Sequence, residues 1–391
     1  MSIWAKSKGK SELVAVFDIG SSSVGGALLE MNKSGAPKII YSIREPILLE
    51  ENINADRFLF LTLKSFDFVA NKIATLGLGA PKNFFCVLSS PWYASQIRTI
   101  SLQKNTPFLF TSKFADTLIA KEVALFEEQH LVKNINVPNK TRIIELKNIE
   151  TILNGYSTPE PIGQKAKELE MIIFVSIGGE QILLKMEEVV AKHFHSKDIK
   201  FSSFVLTSFA VVRDLFADKK DFLLVDISGE VTDISIVKNG ILRGSVSYPL
   251  GHNFMIRGVA SLLRSTLSNA KSFISLYKDG HAEASTVKKL DKILGKLRTE
   301  WLKSFQESLV GLSNDISIPS TVFVTADQDL ADFFSETIKA EQFNQYTLTD
   351  SKFEVTFLST AVLAGTVFFG ENVARDPFLI IESIYINRLF H

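Results

Sequence analysis

The chain has 391 residues, 43 Lys plus Arg balanced by 43 Asp plus Glu, 46% hydrophobic residues and 22% charged ones. Such a neutral, mixed composition belongs to a globular protein of two or three domains and excludes a general nucleic-acid binder, whose affinity rests on neutralised phosphates. The single cysteine, Cys86, excludes an intrachain disulfide framework and cysteine-based zinc clusters, and fits a reducing cytoplasm.

From the N-terminus, Lys6, Lys8 and Lys10 precede an apolar run that Asp18 interrupts, which reads as a strand and not as a signal peptide. No run reaches the roughly 18 to 20 apolar residues that a membrane span needs. Residues 13–20 predict a strand ending in Asp18-Ile19-Gly20, followed by the small-residue turn Ser21-Ser22-Ser23, a second strand over 24–30, a turn at Lys33-Ser34-Gly35 and a third strand over 39–47. A helix over 55–78 and a strand over 84–88 follow. Residues 222–229 repeat the opening: an apolar strand ends in Asp226-Ile227, a tight turn leads to a strand over 230–237, and Lys238-Asn239-Gly240 turns into a strand over 241–250. After this second meander come a helix over 253–277, a helical insertion near 286–312, a strand over 321–325 and a helix over 328–340. A repeat at this separation is too wide for a solenoid. It predicts two related α/β domains with mixed sheets.

Between the two halves, residues 92–178 break the pattern with Pro107, Pro138, Pro159 and Pro161, an acidic helix over 115–129 and short strands over 142–149 and 169–176. This is the pattern of an inserted small α+β subdomain. A helix over 180–194, a strand over 200–206 and a helix over 207–217 lead into the second meander. The predicted organisation is a first domain of residues 11–91, 179–219 and 357–376, the insertion at 92–178, a second domain of 220–356 with a helical insertion at about 279–313, and an apolar tail at 377–391.

Small residues in the first turn let backbone N–H groups and hydroxyls approach an anion closely. An Asp at a strand end is suited to hold Mg²⁺ through its waters. Two such turns facing across a cleft would grip a phosphate chain from both sides. This pairing resembles the actin-like ATPase superfamily, with its two phosphate hairpins in RNase H-like duplicated domains. The stretch Gly155-Tyr-Ser-Thr-Pro-Glu-Pro-Ile-Gly163 ahead of the strand at 169–176 looks like the SHS2-like insertion of the FtsA-type bacterial cell-division proteins and their PilM-type pilus-assembly relatives. Ser208-Phe-Ala-Val-Val-Arg213 and Tyr248-Pro-Leu-Gly251 also read like these families, and the likeness runs from about residue 13 to 372. It implies ATP and Mg²⁺ as cofactors, with Asp18, Gly20, Ser21, Ser22 and Ser23 on one side of the phosphates, Asp226, Gly229 and Thr232 on the other, and Asp18 and Asp226 on the metal. It also implies that Thr360-Ala361-Val-Leu-Ala364-Gly365 is a small-residue helix crossing its partner below the cleft, opposite Ala210.

Three segments depart from the family pattern. The second phosphate loop, usually Asp-Ile-Gly-Gly-Gly-Thr-Thr-Asp, reads Asp226-Ile227-Ser228-Gly229-Glu230-Val231-Thr232-Asp233. At ~4 Å two like charges cost about 1 kcal/mol in water and about 4 at an effective dielectric of 20, so Glu230 opposes an anion unless it points away. The adenosine loop, usually Thr-Gly-Gly, reads Thr325-Ala326-Asp327, and the ribose helix replaces its acid by Lys271. Weak ATP binding or none follows, with little hydrolysis.

The resulting expectation is an FtsA-like scaffold linking a cytoplasmic division or assembly machine to the membrane. Its partner would be an FtsZ-like or PilN-like tail, with self-association and peripheral contact at the inner face of the cell membrane. The alternatives are a PilM-like platform component that binds a membrane-protein tail, and a working ATP-driven switch. The tail at 377–391 is apolar around most of a helical wheel with one Arg388, where an interfacial helix wants a basic face; membrane or partner contact is slightly favoured over packing on the protein. His193 and His195 lack a third metal ligand and read as a polar helix end. Cys86 reads as an inert core residue. Gly77-Leu78-Gly79 does not continue into a dinucleotide loop.

Overall fold

The computed structural model describes residues 12–31, 35–133, 140–196, 198–313, 317–326, 330–340 and 352–390; Asp327 lies outside them. The first meander is β1 (Glu12–Ile19), β2 (Ser23–Met31) and β3 (Lys38–Pro46), followed by α1 (Ala55–Ala74) and β4 (Asn83–Leu88). Next come β5 (Tyr93–Leu109), α2 (Ser112–Lys133), β6 (Thr141–Leu153), β7 (Tyr156–Ser157), β8 (Lys165–Gly179), α3 (Glu180–Phe194), β9 (Ile199–Ser203) and α4 (Phe204–Leu215). The second half runs β10 (Phe222–Ile227), β11 (Thr232–Lys238), β12 (Ile241–Tyr248), α5 (His252–Leu263), α6 (Leu267–Lys278), α7 (Ala284–Leu312), β13 (Thr321–Ala326), α8 (Ala331–Ala340) and β14 (Glu354–Phe357), and closes on β15 (Phe368–Phe369) and α9 (Pro377–Arg388).

The two halves are built alike. One sheet has the order β15-β3-β2-β1-β4-β9 and the other β12-β11-β10-β13-β14. In each, the leading strand is antiparallel to the second (β1 with β2, β10 with β11) and parallel to the fourth (β1 with β4, β10 with β13). β1 and β10 are apolar on both faces because helices cover both. On the first lobe α1 starts at Asn54, whose side chain accepts from Arg57 N at 2.9 Å, and lays Phe66, Val69 and Ile73 against Phe17. In the second lobe α7 supplies Trp301, Phe305 and Leu309 to a core completed by Phe334 of α8.

Residues 93–179 form a third, four-stranded sheet of order β5-β8-β6-β7, with α2 packed on it around Phe126 and Val123. Its β6 is tied to the first lobe by Glu145, a buried carboxylate that accepts from Ser203 N at 2.9 Å and Ser203 Oγ at 2.6 Å. Burial raises the Glu145 pKa, and the Ser203 donors oppose the rise.

Two C-terminal expectations are corrected. Thr360–Gly365 is not a helix: residues 360–365 are turns, with Gly365 at φ +83°. The apolar tail is not free for membrane or partner. It is α9, which packs on α4 and on the β1–β2 pair with residues 379–386 all buried. A helix that is apolar all round belongs in a core. The element lying against α4 is therefore α9, whose Arg388 Nη1 donates to Ala210 O at 2.6 Å. Among the described residues no helix is long and apolar enough to cross a membrane.

Candidate functional site

The two Asp-Ile turns meet at the interface of the lobes. The first is closed by Gly20 N donating to Ser23 O at 3.1 Å, and Trp92 Nε1 steadies it by donating to Gly20 O at 2.8 Å. The second is closed by Ser228 N to Val231 O at 3.0 Å. They are bonded to each other: Ser21 Oγ lies 2.5 Å from Ser228 Oγ, and Glu230 N donates to Ser21 Oγ at 2.9 Å. Gly229 shows how close the backbones come. A Cβ there would stand 2.6 Å from Ser21 C and Ser22 N, so only glycine fits. A phosphate oxygen held by both loops needs roughly 2.8 Å on each side, and the hydroxyl contact fills that space.

Asp18 sits one residue before the end of β1, buried, and does not face an open metal position. Arg44 of β3 donates from Nη2 to Asp18 Oδ2 at 2.7 Å and from Nη1 to Ser23 Oγ at 2.9 Å. The same guanidinium holds Asp376, the α9 N-cap, through Nε at 2.5 Å and Nη2 at 3.0 Å. Glu382 of α9 is fully buried, and neither of its oxygens nor Asp18 Oδ1 has a hydrogen-bond donor among the other groups described. Burial raises the Asp18 pKa, with Arg44 opposing; burial and then the Asp18 charge drive Glu382 well upward. Both shifts favour the neutral carboxyl, and the two groups oppose each other's ionisation.

In the second lobe Asp226 Oδ1 accepts from Thr325 Oγ1 at 2.7 Å. Thr232 is turned into the core, where its Oγ1 donates to Leu250 O at 2.7 Å and accepts from Trp301 Nε1 at 3.2 Å. Glu230 points away from the first loop. Arg257 grips it with Nη1 to Oε2 at 2.6 Å and Nη2 to Oε1 at 2.8 Å, and Asn253 Nδ2 adds a bond at 2.8 Å. Arg257 Nε also donates to Glu50 O of the first lobe at 2.8 Å. Ser90 Oγ reaches across to Asp233 Oδ1 at 2.9 Å, and burial lifts the Asp233 pKa to about 6. Arg44, Asp376, Glu382 and Arg257 escape the sequence reading; the one local signal is that Asn253 and Arg257 share a face of α5 at i, i+4. Elsewhere His193 Nε2 lies 2.8 Å from Asp67 Oδ1, and Cys86 is buried.

Beside these loops opens a cavity of about 370 Å³, lined by Ser22, Ser23, Arg44, His252, Lys271, Arg375 and Asp376 among others. The residues present do not fit Mg-ATP. Arg44 occupies the Asp18 oxygen that a hydrated metal would use and brings a like charge to its place. The loops that would clasp the phosphates hold each other instead.

The fold is that of the actin-like ATPases, with relatives of FtsA and PilM type. No protein-family model matches the chain. It is similar to the PilM–PilN type IV pilus biogenesis complex at 12% identity, covering 98% of this chain and 99% of that one with a TM-score of 0.61. It is also similar to the cell division protein FtsA of Neisseria meningitidis serogroup B, 24% identical over 142 residues. That match spans 36% of this chain and about a third, 34%, of the relative. A MamK double helical filament gives a TM-score of 0.45 at 11% identity over 97% of this chain and 98% of that one.

Proposed function

We propose that this chain is an actin-like scaffold that works without a nucleotide cycle, joining a cytoplasmic assembly machine to a membrane partner at the inner face of the cell membrane. The observation that carries this reading is the seat of Ser21 on Ser228 and Gly229. The closure usually asked of a bound triphosphate is supplied by the chain's own groups: Arg257 to Glu50 O, Ser90 to Asp233, and Arg243 Nη2 to Glu150 at 3.3 Å. Hydrolysis has no assigned role in it.

Of the two assembly types, the burial of α9 favours the pilus type. A helix committed to the core has no face left for a bilayer, so membrane contact runs through a partner's tail received on the insertion at 92–178. Exposed Leu109, Tyr156 and Ile162 there offer apolar contact area for that tail or for self-association. The FtsA match supports the division type, with an FtsZ-like tail as partner.

Calorimetric titration with a PilN-type and an FtsZ-type tail peptide, each with and without Mg-ATP, tests the reading. The expected result is binding of the PilN-type peptide with an affinity that Mg-ATP leaves unchanged. Micromolar Mg-ATP binding abolished by Asp18→Ala, or a peptide affinity that follows the nucleotide, would refute the nucleotide-independent scaffold. Binding of the FtsZ-type peptide alone would move the assignment to division.

A further inference from the structure

The long helix α7 carries its positive charge on one side. Residues 284–303 contain Lys288, Lys289, Lys292, Lys296, Lys303 and Arg298 against Asp291 and Glu300, a surplus of four positive charges in a chain whose total is zero. At 3.6 residues per turn the five lysines fall within about 100° of arc and run about 22 Å along the axis. The opposite side of the helix lays Leu290, Leu294, Leu297, Trp301 and Phe305 into the core of the second lobe. The lysines therefore face solvent, and all five are exposed. Lys303 reaches Glu307 only at 3.9 Å, and the other four make no hydrogen bond or ion pair with any described residue. Asp291 is engaged from α6, where Tyr277 Oη donates to it at 2.5 Å. Glu300 and Glu307 border the row only at its C-terminal end. An ordinary solvated helix face mixes both signs; this one does not.

The chemistry of the row narrows what it meets. Protein–protein contacts are depleted in lysine and centre on Trp, Tyr and Arg anchors, and the row has none of these. A lysine ammonium is a compact, strongly hydrated charge on a flexible stem, without the planar fork that fixes a single carboxylate or phosphate. A row of such charges on a rigid helix suits a surface whose negative charge is spread and mobile, as in the headgroups of an anionic leaflet. No aromatic side chain stands in the row for a single-stranded base to stack on.

We propose that the lysine face of α7 docks on an anionic lipid bilayer, held by charge and without insertion. Contact of this kind needs no apolar face, so α9 stays in the core and a partner's tail remains the anchor. The lysines then turn the second lobe towards the headgroups. The inference rests on the preceding reading only for placing the chain at the inner face of the cell membrane.

Co-sedimentation of the full chain with vesicles tests it, with phosphatidylcholine alone in one arm and equal parts phosphatidylcholine and phosphatidylglycerol in the other. The expected result is partition into the anionic vesicles only, falling as salt is raised because the charges are exposed. Lys292→Ala with Lys296→Ala is expected to weaken partition about tenfold or more, and Lys292→Arg with Lys296→Arg to retain it. Both positions are exposed, and a circular dichroism spectrum checks that the variants keep the fold. Absence of partition, equal partition into both vesicles, or partition that the alanine pair leaves unchanged overturns the inference. Tighter, lysine-dependent binding to a DNA duplex in the same buffer assigns the face to nucleic acid and also overturns it. Each of these results leaves the nucleotide-independent scaffold standing, since that reading is decided by the Mg-ATP and peptide titrations.

Discussion

Replacing Glu382 by glutamine tests whether a proton is shared between α9 and β1. Glu382 is fully buried, without a donor to either oxygen, beside an Asp18 whose Oδ1 is equally unserved. Burial, and then the charge of Asp18, hold its pKa well above the ordinary 4.5. A carboxyl whose folded pKa is raised contributes stability that is complete below its unfolded pKa and is lost as pH rises towards the folded value. Across that window the wild-type chain loses about 1.4 kcal/mol per pH unit from this one group. Glutamine has the same shape, donates from Nε2 to Asp18 at every pH and does not titrate. Glu382→Gln is therefore expected to match the wild type at acid pH and to exceed it by a margin that grows as pH rises, by up to about 1.4 kcal/mol per pH unit. Urea denaturation of both proteins at intervals from about pH 5 to about pH 8 measures the difference directly. A difference that does not change with pH, or a variant less stable throughout, would refute the shared proton and mean that Glu382 is ionised in the folded chain.

Arg257→Ala leaves Glu230 buried without its main partner and releases Glu50 O, and is expected to cost about 3 kcal/mol in urea denaturation, with Glu230→Gln in the same chain recovering much of it. Gly229→Ala sets a methyl 2.6 Å from the Ser21 and Ser22 backbone; a loss of about 2 kcal/mol is expected, with faster amide exchange over residues 20–23 and 228–231. Asp233, raised from 3.8 to about 6 by burial, contributes stability that is present below pH 3.8 and lost as pH passes about 6. Asp233→Asn is thus expected to gain about 3 kcal/mol on the wild type between pH 4 and neutrality, read from thermal melts at the two pH values.

The duplicated meander was legible because its signals are local. Apolar strands buried on both faces alternate with turns carrying Gly35 and Gly240, both at positive φ, and the helix read over 180–194 is α3. What was illegible depends on groups far apart in sequence. Residues 253–277 keep a helical period, yet the chain breaks between α5 and α6 at Arg264, which takes φ +52° with no Gly or Pro to announce it. An apolar run such as 377–390 carries the same pattern whether it meets lipid or a protein core, and only the facing surface of α4, β1 and β2 decides. Glu230 reads as a charge in an anion loop until Arg257, 27 positions on, is seen to turn it aside. Nothing local in β3 marks Arg44 as the neighbour of Asp18.

The duplication also explains how both carboxylates came to be occupied by groups of the chain. Asp18 and Asp226 hold equivalent places, and across the ladder they face Gly25 and Asp233 respectively. A side chain at position 25 would meet the Arg44 guanidinium at 2.7 Å; glycine there is what lets the arginine reach Asp18. At the matching place in the other lobe Asp233 instead accepts hydroxyl donors from Ser90 and Ser247, while Thr325 serves Asp226. One half thus satisfies its carboxylate with a cation and the other with a hydroxyl, and both solutions are made at folding. A ligand shifts an equilibrium only by the difference in its affinity for two states. With the loops bonded to each other across the cleft, a triphosphate would have to favour a state in which the contacts of Ser21, Arg257 and Ser90 between the lobes are broken, and would work against them. The insertion is anchored to one lobe by Glu145 and to the other by Glu150, contacts that suit the proposed platform.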